Sequence, residues 1–301
     1  MSAHRMPAAE VEITPDLVRR LLARQHPDLA DLPITAMSNG WDNVVFRLGH
    51  ELLVRLPRRE MAARLVEHEQ RWLPLLGPRL PLPIPAPVRV GRPDLRYPWP
   101  WSVVPFLPGS VAADTAPDDP RNAALRLGEF LAALHLAAAP DAPANPFRGV
   151  PLADRTDAVM RNLATVAATV DGDAVRREWD AAVEVPRWNG APVWLHGDLH
   201  PANVLVHHGR ISGVIDFGDI TAGDPATDLA VAWMLLPARH YPTFRHAYSI
   251  TGRPVARDDP LWARARGWAL ALSLAYLAHS ADNPQLARIG ARTLAAVLAP
   301  E

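Results

Sequence analysis

Residues 193–217, VWLHGDLHPANVLVHHGRISGVIDF, limit the possible folds more than any other stretch of the chain. Short apolar runs at about 192–195, 203–206 and 211–215 are too brief for helices and read as strands. The turns between them carry His196, Asp198, His200, Asn203 and Asp216. The two histidines are four positions apart, one helical turn, which raises the possibility of half a zinc site. Three features argue against it. The residue after His196 is Gly197 rather than a glutamate base, Pro201 disfavours a helical His200, and no third ligand stands at a suitable spacing. Cysteine is absent from the chain, which also removes thiolate ligands, thiol catalysis and disulfides. The stretch is therefore expected to be a loop held between strands.

As a loop it presents three oxygen-bearing side chains in a fixed order. Asn203 lies five positions after Asp198, and Asp216 thirteen after Asn203. Phosphoryl transfer needs one group to orient the attacking hydroxyl and two hard oxygens to hold Mg²⁺ on the nucleotide phosphates. The order and spacing follow the kinase pattern H-x-D-x-x-x-x-N followed by D-F-G.

Together, HGDLHPANVLV and VIDFGDITAGDPATDLA resemble the aminoglycoside phosphotransferase family, which has a kinase-like fold. The likeness covers roughly residues 33 to 236. It implies that Asp198 is the catalytic base and that Asn203 and Asp216 are Mg²⁺ ligands. His196 would brace the loop, and Asp228 would be structural. The co-substrate implied is ATP or GTP, and the acceptor is a hydroxyl of a small molecule. Such acceptors include aminoglycosides, macrolides and related antibiotics, which would make the role one of antibiotic resistance. The alternatives are a metabolite kinase of the same fold, acting on choline, a sugar or homoserine, or a catalytically silent binding protein. A silent member would be expected to lack the base or a metal ligand, and here Asp198, Asn203 and Asp216 are all present.

The rest of the chain divides by character. An amphipathic helix is expected at 15–25, followed by strands at 33–37, 44–48 and 51–56 and a helix with Leu65, His68, Trp72 and Leu75 on one stripe. The Pro-rich run PRLPLPIPAPVRV leads as an extended connector to a strand at 101–106, and from about residue 118 the chain is mainly helical. The expected fold is α+β, protein-kinase-like, with a small antiparallel β-rich lobe (1–105) and a larger helical lobe (106–301). By the resemblance, the first lobe holds the nucleotide. Arg55 on the third strand stands where most kinases have lysine, because all 31 basic residues of this chain are arginine. Glu69 is its expected acidic partner. Ser38 and Asn43 flank a phosphate-covering turn, and Val104 sits in the strand that meets the purine through backbone groups.

A net charge of −1 gives no field for nucleic acid or an anionic membrane, and no run of 18 apolar residues predicts a membrane span. A cytoplasmic monomer or dimer is expected. Beyond Leu229 arginines outnumber carboxylates, which argues mildly against a strongly acidic wall there for a polycationic acceptor, whereas residues 150–190 are richer in acids but also hold Arg155, Arg161, Arg176 and Arg177. The aromatic residues there, Tyr276 among them, are expected to be mostly core. His135 is expected to be a packed helix residue.

Overall fold

The computed structural model describes residues 8–94, 96–250 and 252–300. The chain forms two compact units, one of residues 8–79 and 83–108, the other of residues 80–82 and 109–300.

The first unit is built on a five-stranded antiparallel sheet, β1 (Ile34–Asn39), β2 (Asn43–Leu48), β3 (Leu52–Pro57), β4 (Arg89–Gly91) and β5 (Trp101–Pro105), in the order β1-β2-β3-β5-β4. Alternation along β2 and β3 sends Phe46, Leu48, Val54 and Leu56 into the core, where they meet Trp101 and Val103. Helix α1 (Pro15–Gln25) closes this core with Leu17, Val18, Leu21 and Leu22. It starts where the sequence places it, because Thr14 accepts the amide of Leu17 and Pro15 is set for the first turn. The connector at 81–87 has no regular structure, as its prolines dictate.

Helix α2 (Glu60–Leu76) buries Ala62, Val66, Glu69, Trp72, Leu73 and Leu76. The expected stripe is therefore corrected: Leu75 is 59% exposed, and Leu65 and His68 lie at the margin. Periodicity alone favoured the large apolar residues. The packed face instead uses small alanines for close approach and admits Glu69, which has a cationic partner on the sheet.

The second unit contains α3 (Pro120–Leu134), α4 (Thr156–Val166), α5 (Gly172–Glu184), α6 (Ala226–Leu229), α7 (Val231–Leu235), α8 (Tyr241–Ala247), α9 (Pro260–His279) and α10 (Pro284–Leu298). Helix α9 is apolar around its circumference, so it can only be central, and α4, α5, α6 and α10 pack around it. Among these helices run β6 (Ser110–Val111), β7 (Val193–Leu195), β8 (Val204–His207), β9 (Arg210–Val214) and β10 (Thr221–Gly223), paired as β6-β8-β9 and β7-β10. Among the described residues no helix is long and apolar enough to cross a membrane.

Candidate active site

Strand β7 is wholly buried and is followed at once by His196. The loop that follows hangs from one buried carboxylate: Asp228 accepts the amide of His196 through Oδ2 (2.7 Å) and that of Gly197 through Oδ1 (2.9 Å). Behind Asp228 stands His135, with Nε2 at 3.3 Å from Oδ2 and Nδ1 at 2.7 Å from the Tyr248 hydroxyl. His135 is thus a packed residue with a polar task, supporting the carboxylate that supports the loop.

Gly197 makes the turn at φ +87°, and a Cβ there would lie 2.2 Å from the Asp219 carbonyl oxygen. Only glycine fits. Gly197→Ala is expected to lower stability by about 1–3 kcal/mol, through backbone strain and overpacking, and to impair turnover. An unchanged denaturation midpoint would contradict this close approach.

His196 joins the loop to the next strand. Its Nδ1 accepts the Asp198 amide (3.2 Å), so Nε2 carries the proton and donates to the Ile215 carbonyl (2.9 Å). His200 is extended (φ −149°, ψ 169°), its Nδ1 accepts the Ala202 amide and its Nε2 faces Asp198 Oδ2 at 3.4 Å. Both imidazoles thus have both nitrogens engaged, His200 within the loop and His196 between the loop and Ile215, as the loop reading of the sequence expects.

Asn203 ties the Asp198 turn to the residue before Asp216. Asn203 Nδ2 donates to the Asp198 carbonyl (2.9 Å), and the Asn203 carbonyl accepts the Ile215 amide (2.9 Å), one residue before Asp216. Asp216 has φ +64°, a left-handed conformation for a residue other than glycine. Such strain costs on the order of 1 kcal/mol or more and is often found at functional sites. Further along, the GDP segment is fixed by Arg264, whose Nε donates to Asp224 Oδ2 at 2.8 Å, while Asp224 Oδ1 accepts the Ala226 amide.

The Asp198 carboxylate has neighbours that no motif announced. Arg148 Nη2 donates to its Oδ1 at 3.0 Å, and the Tyr276 ring stands edge-on to His200 at 5.6 Å. Burial alone would raise the Asp198 pKa, but His200, Arg148 and His196 outweigh it and hold the carboxyl well below the usual range. Asp219, whose Oδ1 accepts from Asn145 (2.7 Å), is shifted upward by burial and by Asp198. Tyr276 is shifted upward too, by burial first and then by Asp198.

In the first unit, Arg55 on β3 donates from Nη1 to both carboxylate oxygens of Glu69 on α2, at 2.9 and 3.1 Å. Both residues are nearly buried, at 9% and 3% exposure. The β1–β2 turn is closed by the Gly40 amide on the Asn43 carbonyl (2.9 Å), with Ser38 on the exposed end of β1. Two arginines that the sequence reading passed over brace this turn: Arg58 Nη1 donates to the Gly40 carbonyl (3.0 Å) and Arg59 to Asp42 (2.7 Å). Val104 is buried opposite Leu53. The Val103 carbonyl accepts from Val88, while the Phe106 amide donates to Glu51. Strand alternation therefore turns the Val104 peptide toward β3. The residue turned away from β3 is Pro105.

A sequence model described as the phosphotransferase enzyme family, APH, matches residues 33–268. The chain belongs to that family. It is 31% identical over 180 residues to the aminoglycoside 3'-phosphotransferase of Streptomyces fradiae, covering 56% of this chain and 64% of that protein. It is 30% identical over 159 residues to the homoserine kinase of Gluconobacter oxydans, covering 50% of this chain and 47% of that one. These alignments span about half to just under two thirds of the relatives' own length. Among solved structures, the macrolide 2'-phosphotransferase MphH of Brachybacterium faecium matches with a TM-score of 0.64 at 28% identity, over 95% of this chain and 98% of that one. The fold is accordingly kinase-like α+β, with the antiparallel sheet in the N-terminal part and the helices in the C-terminal part.

Proposed function

We propose that this chain transfers the γ-phosphate of ATP or GTP to a hydroxyl of a small molecule, with Asp198 as the base. The observation that supports this reading is that Asn203 bonds the Asp198 carbonyl through its side chain and the amide before Asp216 through its carbonyl. Asp198 would accept the proton of the acceptor hydroxyl as its oxygen attacks, and Arg148 and His200 fix the direction of that carboxylate. Arg55 would grip the nucleotide phosphates, with Glu69 holding the guanidinium in place.

The donor set suits Mg²⁺, which takes one or two protein oxygens and completes its shell with water and phosphate. Asn203 fits because its Nδ2 is committed to the Asp198 carbonyl, which leaves Oδ1 as the ligating atom. Asp216 supplies the charged oxygen. When bound, Mg²⁺ supplies neutralisation of the phosphate charge.

Asp216→Asn is expected to weaken Mg²⁺-dependent nucleotide binding by about tenfold or more, and by more than Asn203→Ala does, since it removes a full charge from the ion's shell. Calorimetry giving the same Mg·nucleotide affinity as wild type would remove Asp216 from this role. For the acceptor, an aminoglycoside, macrolide or related antibiotic is the first reading, supported by the names of the relatives in two of the three matches. A metabolite kinase is the second, supported by the homoserine kinase match. A phosphate-transfer screen over antibiotics and hydroxylated metabolites, with both nucleotides, separates them.

A further inference from the structure

The turn between β1 and β2, which would cover the nucleotide phosphates, is short of glycine. From Ser38 to Asn43 the chain has one glycine, Gly40, and one acid, Asp42. Both facts count against phosphate. Glycines let the backbone of a phosphate-covering loop approach its anion closely, and a carboxylate in such a turn repels the phosphates beneath it. The two arginines that directly follow β3 answer both difficulties.

The strand register brings them there. Asn43 on β2 pairs with Pro57 on β3, so residues 58 and 59 stand across from the turn. Arg58 takes two of the turn's carbonyls: its amide donates to that of Asp42 (2.9 Å) and its Nη1 to that of Gly40 (3.0 Å). The Asn43 carbonyl accepts the Gly40 amide (2.9 Å). Carbonyls engaged in this way are not offered to a phosphate, whose oxygens they would repel. Arg59 meets the charge. Its Nη2 lies 2.7 Å from Asp42 Oδ1, and the pair is partly shielded, with side-chain exposures of 15% and 36%, so salt screens it less than an open surface pair. The Nε atoms of both arginines are buried without a hydrogen-bond partner, which closes that edge of each guanidinium to a ligand. Their route to a phosphate is therefore through the turn.

We infer that Arg58 and Arg59 are positioning residues of the nucleotide site: Arg58 holds the turn's carbonyls off the triphosphate, and Arg59 cancels the charge of Asp42. Together they do for this turn what glycines do in a Gly-rich phosphate loop. The inference rests on the phosphotransferase reading given above and adds two residues to its nucleotide site.

Calorimetry with Mg·ATP and Mg·GTP, beside adenosine and guanosine, tests this without an acceptor. The nucleosides keep the purine and lack the phosphates. Arg59→Gln should weaken triphosphate binding about tenfold, the effect of one uncompensated charge near the phosphates, while nucleoside affinity stays as it was. Asp42→Asn should bind the triphosphate more tightly, and Arg59→Gln/Asp42→Asn should return close to wild type. A double variant as weak as Arg59→Gln would mean that Arg59 grips phosphate itself, and would overturn the inference. Arg58→Gln should also lose triphosphate affinity, and Arg58→Lys should recover part of it, since an ammonium can still donate to the Gly40 carbonyl. Equal losses for nucleoside and triphosphate in a folded Arg58→Gln variant would reduce Arg58 to a support of the fold and overturn its role here. Should Arg58→Gln fail to fold, the Arg59 and Asp42 series decides. Wild-type protein that binds neither Mg·nucleotide overturns the phosphotransferase reading and the inference with it. Wild-type binding with no change in the variants overturns the inference alone.

Discussion

Asp198→Ala is expected to lose at least about a hundredfold in turnover, the usual scale of a general base, while Mg·nucleotide affinity stays close to wild type. In the proposed reading the carboxylate serves the acceptor, and its contribution to nucleotide binding is indirect. The variant also frees Arg148 and His200 from their partner, so its fold should be checked by a melting curve. Asp198→Asn keeps the volume and most of the contacts, and should lose as much activity because the amide cannot take the proton. If either variant retained more than about a tenth of wild-type turnover, the base would have to be sought elsewhere.

Arg55→Ala is expected to cost both stability and nucleotide use. It leaves Glu69, at 3% exposure, without its cation. Removing one partner of a buried pair costs about 3–5 kcal/mol, enough to be plain in chemical denaturation. The nucleotide KM should rise or kcat should fall strongly in the same variant. Arg55→Lys should recover only part, because the ammonium lacks the reach and the planar donor array of the guanidinium. A paired replacement separates the two effects: Arg55→Met with Glu69→Leu removes both charges and should regain much of the stability but none of the kinetics. Losses in the single variants that simply add in Arg55→Ala/Glu69→Ala would mean the two side chains do not act as partners.

The parts of this molecule that could be read from its sequence are those where chemistry demands fixed spacing. The spacing of Asp198, Asn203 and Asp216 predicted a loop between strands, and the structure has that loop, with Asn203 bonded to the Asp198 carbonyl and to the Ile215 amide. Arg55 and Glu69 could be paired in advance because a strand and the helix after it can bring such residues face to face. His196 and Asp228 were legible for the same reason, as supports of a turn that Gly197 makes sharp.

What escaped the sequence lies in long-range packing. Arg148 is 50 positions from Asp198 and sits in a segment with no motif. Tyr276 reads as one more aromatic in an apolar helix. The buried face of α2 was missed because alanines and a paired glutamate carry little hydrophobic signal. The turn of the Val104 peptide toward β3 depends on strand pairing, which a single sequence states only weakly.

With Arg55 at the nucleotide as proposed, the Arg55–Glu69 pair also determines how the protein responds to chemical labelling. Reagents that mark nucleotide sites by acylating an amine rely on the lysine that most kinases place on this strand. A guanidinium remains protonated throughout the working range and is a poor nucleophile. Acyl-phosphate nucleotide probes should therefore leave the site unmarked even at full occupancy. Surveys that count labelled lysines would score an active enzyme as absent. A guanidine-directed dicarbonyl is the matching reagent, and bound nucleotide should protect Arg55 from it.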